Sequence, residues 1–320
     1  STLFPYTTLF RSPYSDAGFA RLKSITTYRE WDNPQHAANN TGVVIPPITA
    51  LVSLAPIAAG PVLNPDSAGA ARRERHQHQW TQELQMLGDI GRSFSYVLGG
   101  YYFEEKFAED SVQTALALIP GRTLPYHLTG PRAALAYRGT NEAWAVYANG
   151  TYTLPIWGER LSFSGGLRQT EDTRSYFRSP TNQASKKFDD LNFDASVNYK
   201  ATEDFFVYAR VASGFNAGGY NMRDTAVPAI PFDPEELTAY EVGIKTDWLD
   251  QRLRLNAAAF FSDYSSIQTS VVLATATPGI VSNSTINGAA AEIKGVELEL
   301  LAYPLDGYME IGRASCRERV

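Results

Sequence analysis

Apolar and polar side chains alternate one by one over long stretches of this chain. Between Asp190 and Lys200, Leu191, Phe193, Ala195, Val197 and Tyr199 alternate with aspartate, asparagine, serine and lysine. The same pattern recurs from Arg252 to Ser262 and in 236–248 and 289–303. A period of two places alternate side chains on opposite faces of a β-strand. No window has sustained helical periodicity, so the sequence predicts an all-β fold.

About ten segments carry this pattern. They span residues 17–32, 76–88, 94–107, 140–154, 160–174, 188–200, 203–217, 236–248, 252–268 and 289–303. Most exceed the roughly 5–6 residues of an average globular strand and provide the roughly 9–11 that a tilted membrane strand needs. We therefore predict an antiparallel up-and-down meander that forms part of a transmembrane β-barrel, as an open curved sheet.

The predicted connections alternate between short and long. Short turns are expected near 89–92, 155–159, 201–202, 249–251 and 304–307, and long connections at 33–75, 108–139, 175–187, 218–235 and 269–288. Aromatic residues collect near strand ends, which predicts girdles at two membrane interfaces; they are Tyr101, Tyr102, Phe103, Trp144, Tyr147, Phe205, Phe206, Tyr208, Trp248, Phe260, Phe261 and Tyr264. Short turns at one end and long loops at the other are typical of outer-membrane barrels.

Composition excludes several classes of protein. The net charge of −6 argues against nucleic acid as a partner, because phosphate binding requires a basic surface. A single cysteine among 320 residues excludes a disulfide scaffold. The uncharged stretch at 39–65 has membrane-like composition, but Pro46, Pro47, Pro56 and Pro61 would break a helix there, so we predict an external loop.

The two ends of the chain differ from the rest. Residues 2–12 read TLFPYTTLFRS and residues 310–320 read EIGRASCRERV. These match conceptual translations of a sequencing adapter and of its reverse complement. We interpret residues 1–12 and 310–320 as adapter-derived and residues 13–309 as a partial β-barrel domain. Both ends of that domain are then expected to be truncations.

Three motif blocks from residue 205 onward resemble TonB-dependent outer-membrane receptors. The first, FFVYARVASGFNAGGYN, contains a Gly-Phe-x-x-Gly-Gly-x-Asn element. The second runs from Phe232 to Gln268, and the third includes IKGVELEL. The positions that carry the resemblance are Gly214, Phe215, Gly218, Gly219, Asn221, Pro234, Glu235, Glu241, Gly243, Lys245, Asp263, Tyr264, Gln268, Asn287, Gly295 and Glu297. Their order and spacing agree over several consecutive strands, and we expect them mainly to specify fold and register.

The resemblance implies active uptake of a large, scarce solute across the outer membrane of a Gram-negative bacterium. A ferric siderophore is the favoured solute, with cobalamin or a glycan as alternatives. The partners of the intact parent would be outer-membrane lipid, TonB with ExbB and ExbD, and a plug domain. The family's barrel has 22 strands and a plugged lumen. This chain is predicted to be an internal fragment, because no plug or TonB box is evident and the strands are too few.

No residues in the sequence indicate catalysis. Hydrolase, metalloprotease and nucleotide-binding signatures do not occur, so we predict neither an enzyme nor a cofactor. His76 and His78 share a strand face, but no third metal ligand is evident nearby. Arg72, Arg73 and Arg75 with these histidines form a basic cluster that could bind an anion or simply be solvated or lipid-facing.

Two alternative functions remain open from the sequence. A passive porin-type barrel would share the strand alternation, the girdles and the loop lengths, although the motif blocks favour the receptor. A soluble all-β binding domain is the other alternative. It is disfavoured because the outward faces are too apolar and because no repeat of the roughly 40–50 residues typical of propellers occurs.

Overall fold

The computed structural model describes residues 6–11, 15–16, 20–38, 69–117, 127–222, 229–274, 281–288, 290–305 and 308–319. Within these ranges the chain forms strands and turns, and no helix there is long and apolar enough to cross a bilayer. The segment 39–65 lies outside them. The strands are β1 (Tyr6–Arg11), β2 (Ser15–Asp16), β3 (Arg21–Ala38), β4 (Gly69–Ile90), β5 (Phe94–Ala117), β6 (His127–Thr153), β7 (Leu161–Ser179), β8 (Asn182–Thr202), β9 (Phe205–Asn216), β10 (Gly219–Tyr220), β11 (Pro231–Phe232), β12 (Glu235–Trp248), β13 (Leu253–Ser265), β14 (Gln268–Ala274), β15 (Val281–Asn287), β16 (Ala291–Leu305) and β17 (Tyr308–Arg319).

One 13-stranded antiparallel sheet contains most of the described chain. Its order is β1-β3-β4-β5-β6-β7-β8-β9-β12-β13-β16-β17, with β2 beside β3. Strands β10 and β11 form a separate hairpin, and so do β14 and β15. The described parts of β1 and β17 do not pair with each other, so the sheet is an open meander. This confirms the predicted fold class.

All ten predicted strands are present, as β3 to β9, β12, β13 and β16. The main sheet also contains β1, β2 and β17, which are not among the ten predicted strands. Strands β3 to β6 are 18 to 27 residues long, so parts of the predicted long connections 33–75 and 108–139 are strand instead. Polar pairs such as Arg75 and Glu109, 2.7 Å apart, support these extensions where apolar alternation is absent.

The predicted long connection at 175–187 is wrong, because β7 and β8 form a hairpin. Their register runs to Ser179 opposite Asn182, and Pro180 and Thr181 make the turn. The Tyr176 hydroxyl donates to Asn182 Oδ1 at 2.8 Å across this turn. The adjacent Lys186 and Lys187 interrupt the apolar alternation, so the sequence pattern did not identify this part of β8.

The other connections follow the predicted alternation, with short turns at one end of the sheet and long connections at the opposite end. Residues 91–93, 154–160, 203–204 and 249–252 join strands at one end of the sheet, which we call the short-turn end. Residues 217–234 and 266–290 join strands at the opposite end, which we call the rim end, and they contain the two small hairpins. Leu249, Asp250 and Gln251 have φ of 56°, 53° and 66°. Three consecutive left-handed residues without glycine make the β12–β13 turn locally strained.

Alternation gives the sheet two unlike faces. On β8, Leu191, Phe193, Val197 and Tyr199 are 39–57% exposed on one face, which we call the apolar face. The opposite face is the polar face. The apolar residues on β5, β6, β8 and β13 form a band about nine residues long, close to the length that a tilted membrane strand requires. Beyond this band an acidic residue follows on each strand: Glu104, Glu142, Asp189 and Asp263.

Aromatic residues form rows at both margins of the apolar band. Near the short-turn end, Phe94, Tyr152 and Phe163 are direct cross-strand neighbours. Near the other margin, Tyr28 pairs with Trp80, and Tyr102 pairs with Trp144. The predicted girdles are therefore present. Seven of the predicted members instead belong to the polar face, because consecutive strand residues point to opposite sides; they are Tyr101, Phe103, Tyr147, Phe206, Tyr208, Phe260 and Tyr264.

The described chain has almost no core of its own. Its buried apolar residues are mainly small ones such as Ala143 and Ala145, and no large described side chain is fully buried. Many large apolar side chains are exposed instead, including Leu84, Leu167 and Val242. A single-layer sheet with one apolar face needs an apolar medium on that face.

Candidate functional site: the polar face and its rim

The polar face carries linked hydrogen bonds that cross several strands. Tyr147 on β6 donates to Glu83 Oε1 on β4 at 2.6 Å. Gln85 Nε2 donates to the Tyr147 hydroxyl at 3.1 Å and to Glu83 Oε1 at 2.9 Å. The Arg168 guanidinium on β7 lies 5.4 Å from the ring centroid of Tyr101 and 5.6 Å from that of Tyr147. A cation over two aromatic rings is favourable, so this cluster joins β4, β5, β6 and β7.

A second group of charges lies closer to the rim end. Arg75 Nε donates to Glu109 Oε2 at 2.7 Å, and Arg73 Nε lies 3.5 Å from Glu109 Oε1. Arg174 Nη2 donates to Asp172 Oδ2 at 2.8 Å. Burial raises the pKa of the Asp172 carboxyl, although Arg174 opposes that shift. Charge-assisted bonds of this kind are among the stronger hydrogen bonds in proteins.

Tyr208 is the centre of a third group on the polar face. Its hydroxyl donates to Glu241 Oε1 at 2.6 Å, and Lys245 Nζ lies 5.8 Å from its ring centroid. The ring also covers Gly243, where a Cβ would lie 2.5 Å from it. The motif positions Glu241, Gly243 and Lys245 therefore meet one tyrosine. Tyr208 lies within the first motif block but is not one of the positions that carry the resemblance, and the aromatic pattern predicted it in a girdle instead of on the polar face.

At the rim end, amide side chains bind the backbone of neighbouring connections. Gln268 Nε2 donates to the carbonyls of Ala217 and Asp233 at 3.0 and 3.1 Å, and Gln268 N donates to Glu235 Oε2 at 2.9 Å. Asn216 Nδ2 donates to Gln268 Oε1 at 3.2 Å. The 217–234 connection is therefore tied to the start of β14.

Asn287 makes a similar set of bonds from the end of β15. Its Nδ2 donates to the carbonyls of Asp233 and Ser266 at 2.8 and 3.0 Å, and its Oδ1 accepts from Asp233 N at 2.6 Å. Asn221 binds Thr285 in the same manner. We call the set Asn216, Asn221, Asp233, Glu235, Gln268 and Asn287 the rim clasp. Side-chain amides replace a β-ladder here, because they satisfy backbone groups that loops leave unpaired.

The rim clasp also contacts the neighbouring hairpin β7–β8. Lys186 Nζ lies 2.7 Å from Asp233 Oδ1, and the Tyr176 hydroxyl accepts from Ala229 N at 2.6 Å. The rings of Tyr176 and Tyr220 are 4.8 Å apart. Tyr176 is only 3% exposed. These contacts attach the first small hairpin to the main sheet.

The motif positions therefore separate into three places. Asn221, Glu235, Gln268 and Asn287 lie in the rim clasp with the Pro234 carbonyl, and Gly218 and Gly219 contact Phe232 beside it. Glu241, Gly243, Lys245, Tyr264, Gly295 and Glu297 belong to the polar face. Gly214 and Phe215 pair with β12. Asp263 is exposed on the other face, beyond the apolar band. The structure does not bring the motif positions together around one ligand-sized site.

The predicted basic cluster is not a single patch. Arg72 contacts Glu74 on the side of the apolar face, whereas Arg73 and Arg75 contact Glu109 on the polar face. Alternation along β4 separates them, and carboxylates neutralise them. His76 Nδ1 lies 2.6 Å from Asp32 Oδ1. Among the described residues, no group of three or more His, Cys, Asp or Glu could hold a metal ion.

Comparisons with known proteins agree with this architecture. The family model "TonB dependent receptor-like, beta-barrel" matches residues 6–312. The pesticin receptor of Yersinia pestis is 29% identical over 235 residues, which are 69% of this chain and 31% of that receptor. The chain thus spans about a third of the length of this relative.

Two solved structures share the fold. The ferric yersiniabactin uptake receptor FyuA from Yersinia pestis has a TM-score of 0.70 at 20% identity, covering 96% of this chain and 41% of FyuA. The copper transporter OprC has a TM-score of 0.66 at 11% identity, covering 99% of this chain and 46% of OprC. From the family match, the two-faced sheet and these shared folds, the chain belongs to the TonB-dependent receptor β-barrel family.

Proposed function

We propose that this chain is part of the barrel wall of an outer-membrane receptor that actively takes up a ferric siderophore. The observation that carries the proposal is the pairing of an apolar band with a polar face across the same strands. The band has the length that a membrane strand requires, and the polar face supplies hydrogen-bonding groups toward a lumen. A wall of this kind separates lipid from a hydrated or plugged interior.

The choice of a siderophore rests on relatives rather than on a ligand site. The pesticin receptor matches the sequence, and FyuA is a ferric yersiniabactin uptake receptor of the same fold. Fold alone does not select a solute, and OprC, a copper transporter, has the same fold. A second sequence relative, the probable TonB-dependent siderophore receptor PiuA of Acinetobacter baumannii, is 30% identical over 118 residues and favours a siderophore. Cobalamin and glycans remain the other candidates.

The proposed partners follow from the family. TonB, with ExbB and ExbD, would supply energy to the intact receptor, and a plug domain would occupy the lumen against the polar face. The short-turn end would face the periplasm and the rim end the exterior. We also propose that residues 1–12 and 310–320 are adapter-derived, which sequencing the source DNA across both ends would test.

The test is uptake by the complete reading frame that contains this chain. It would be expressed in a Gram-negative strain lacking its own siderophore receptors, with and without TonB. We expect uptake of radiolabelled ferric yersiniabactin that requires TonB and proton-motive force. Uptake that is independent of TonB, accompanied by leakage of small sugars, would instead support a passive porin. TonB-dependent uptake of cobalamin alone would correct the solute.

A further inference from the structure

A groove of about 800 Å³ lies within the apolar band on β4 to β8. Met86 and Leu98 form one wall, and Leu167 and Phe193 form the other. Ile90 and Phe94 line its end nearest the short turns. The groove is therefore bounded by large apolar side chains along the strand direction, within the part of the sheet proposed to contact lipid.

The floor of the groove is low because neighbouring strands carry very small residues at the same level, and the ring of Phe94 covers only one of them, Gly150. Gly150 pairs with Gly165, and Gly165 pairs with Ala195. A Cβ added at Gly165 would meet only the Asp194 carbonyl oxygen, at 4.0 Å. No described side chain fills the space above Gly165, and water there would lie against apolar walls, which is unfavourable.

A basic residue lies in the turn beside the short-turn end of the same groove. Arg92 lies in the turn between Ile90 and Phe94, and it is exposed. Among the described residues it has no ion pair with a carboxylate. Guanidinium groups bind phosphate oxygens in a bidentate geometry. An apolar groove with an unpaired arginine in the adjoining turn therefore matches a ligand with an alkyl chain next to a phosphate.

We propose that this groove binds one phospholipid of the periplasmic leaflet, with an acyl chain between Leu98 and Leu167 and its phosphate at Arg92. This rests on the proposed function, because it places the apolar face in the membrane with the short turns toward the periplasm. The groove is continuous with the proposed lipid-facing surface. Its depth would distinguish a retained lipid from lipids that exchange freely around the barrel.

The proposal is tested on the full-length receptor encoded by the complete reading frame, purified in detergent. Native mass spectrometry would measure retention of dioleoylphosphatidylglycerol and of dioleoylglycerol, which has the same chains without the phosphate. Gly165→Leu should weaken retention about tenfold, because excluding even two methylene groups from apolar contact changes an equilibrium by about that factor. Arg92→Gln should abolish the preference for the phosphorylated lipid.

The matched control is Gly100→Leu. Gly100 lies in a neighbouring depression of the apolar face beside Leu84 and Val146, and an added Cβ there meets nothing within 4 Å. This variant should retain phosphatidylglycerol like the unmodified receptor, and circular dichroism would verify that all variants fold. Equal retention by Gly165→Leu and Gly100→Leu would overturn the proposal, as would unchanged headgroup preference in Arg92→Gln. Lipid retention without TonB-dependent uptake would refute the transport proposal alone.

Discussion

Asn221 and Thr285 exchange two hydrogen bonds across the rim of the sheet. Asn221 Nδ2 donates to the Thr285 carbonyl at 2.8 Å, and Thr285 N donates to Asn221 Oδ1 at 2.6 Å. The asparagine thus acts as a strand partner for one residue of β15, 64 positions away in sequence. This connects the two rim hairpins, β10–β11 and β14–β15, into one unit.

Replacing Asn221 by alanine should destabilise the rim selectively. Both backbone groups of Thr285 lose their partner, and leaving such groups unsatisfied typically costs about 1–3 kcal/mol. Hydrogen exchange in the full-length receptor should become faster at β14–β15 and stay unchanged in β6–β8. Gln183→Ala is the control, because Gln183 is an exposed rim residue with one bond of 3.3 Å to a backbone carbonyl. Equal effects of the two variants would refute the coupling.

Replacing two of the motif glycines by alanine should change the free energy of unfolding in opposite directions. A Cβ at Gly218 would lie 2.7 Å from the Phe188 ring and closer still to the Phe232 carbonyl oxygen, whereas a Cβ at Gly214 meets nothing within 4 Å. Gly218→Ala should lower the free energy of unfolding by about 1–3 kcal/mol, as overpacking does. Gly214→Ala should raise it by about 0.5 kcal/mol, because alanine is less flexible when unfolded. Urea titration of the receptor in micelles measures both.

The bond between Tyr208 and Glu241 should account for a measurable coupling energy. A double-mutant cycle with Tyr208→Phe and Glu241→Gln isolates it, and we expect about 1 kcal/mol, within the usual range for contacting residues. The parallel cycle of Tyr208→Phe with Glu83→Gln is the control, since Glu83 also lies on the polar face but on β4, five strands away from β9. Coupling that is equal in the two cycles would contradict a direct role for the 2.6 Å bond.

Glu171 should titrate below the ordinary carboxylate range. Lys187 Nζ lies 2.7 Å from its Oε1, and this hydrogen bond lowers the pKa of Glu171. Because the folded pKa is depressed, the contact contributes fully above the ordinary pKa and is lost as pH falls through the lowered one. Carbon NMR of labelled glutamate should detect the shift. Lys187→Gln should raise the pKa of Glu171 toward its ordinary value. An unchanged pKa would show that the contact between Lys187 and Glu171 is absent in solution.

The sequence pattern predicted the band but not its polar extensions. Alternation is clear where one face must be apolar, as at Phe193 and Val197, and it is lost where both faces are polar. Strands there are held by specific pairs such as Arg75 with Glu109. Which residues form such pairs depends on register between strands, and register is set by partners far away in sequence.

The predicted girdles include aromatic residues of the polar face for a related reason. Tyr101 and Tyr102 both lie near the margin of the apolar band, but only Tyr102 can share the face of Trp144. Likewise, resemblance identified Asn221, Gln268 and Asn287 without indicating their partners. Those partners are backbone groups of other connections, and only the folded arrangement brings them together.

A scan of lipid contact along β8 tests the central claim most directly. Single cysteines carrying a fluorophore would replace residues 191 to 199 in turn, in a cysteine-free full-length receptor, and brominated lipid would quench them. We predict strong quenching at Leu191, Phe193, Val197 and Tyr199 and weak quenching at Asn192, Asp194, Ser196 and Asn198, with a period of two. Quenching that is uniform, absent or reversed between these sets would contradict a barrel wall with its apolar face in lipid.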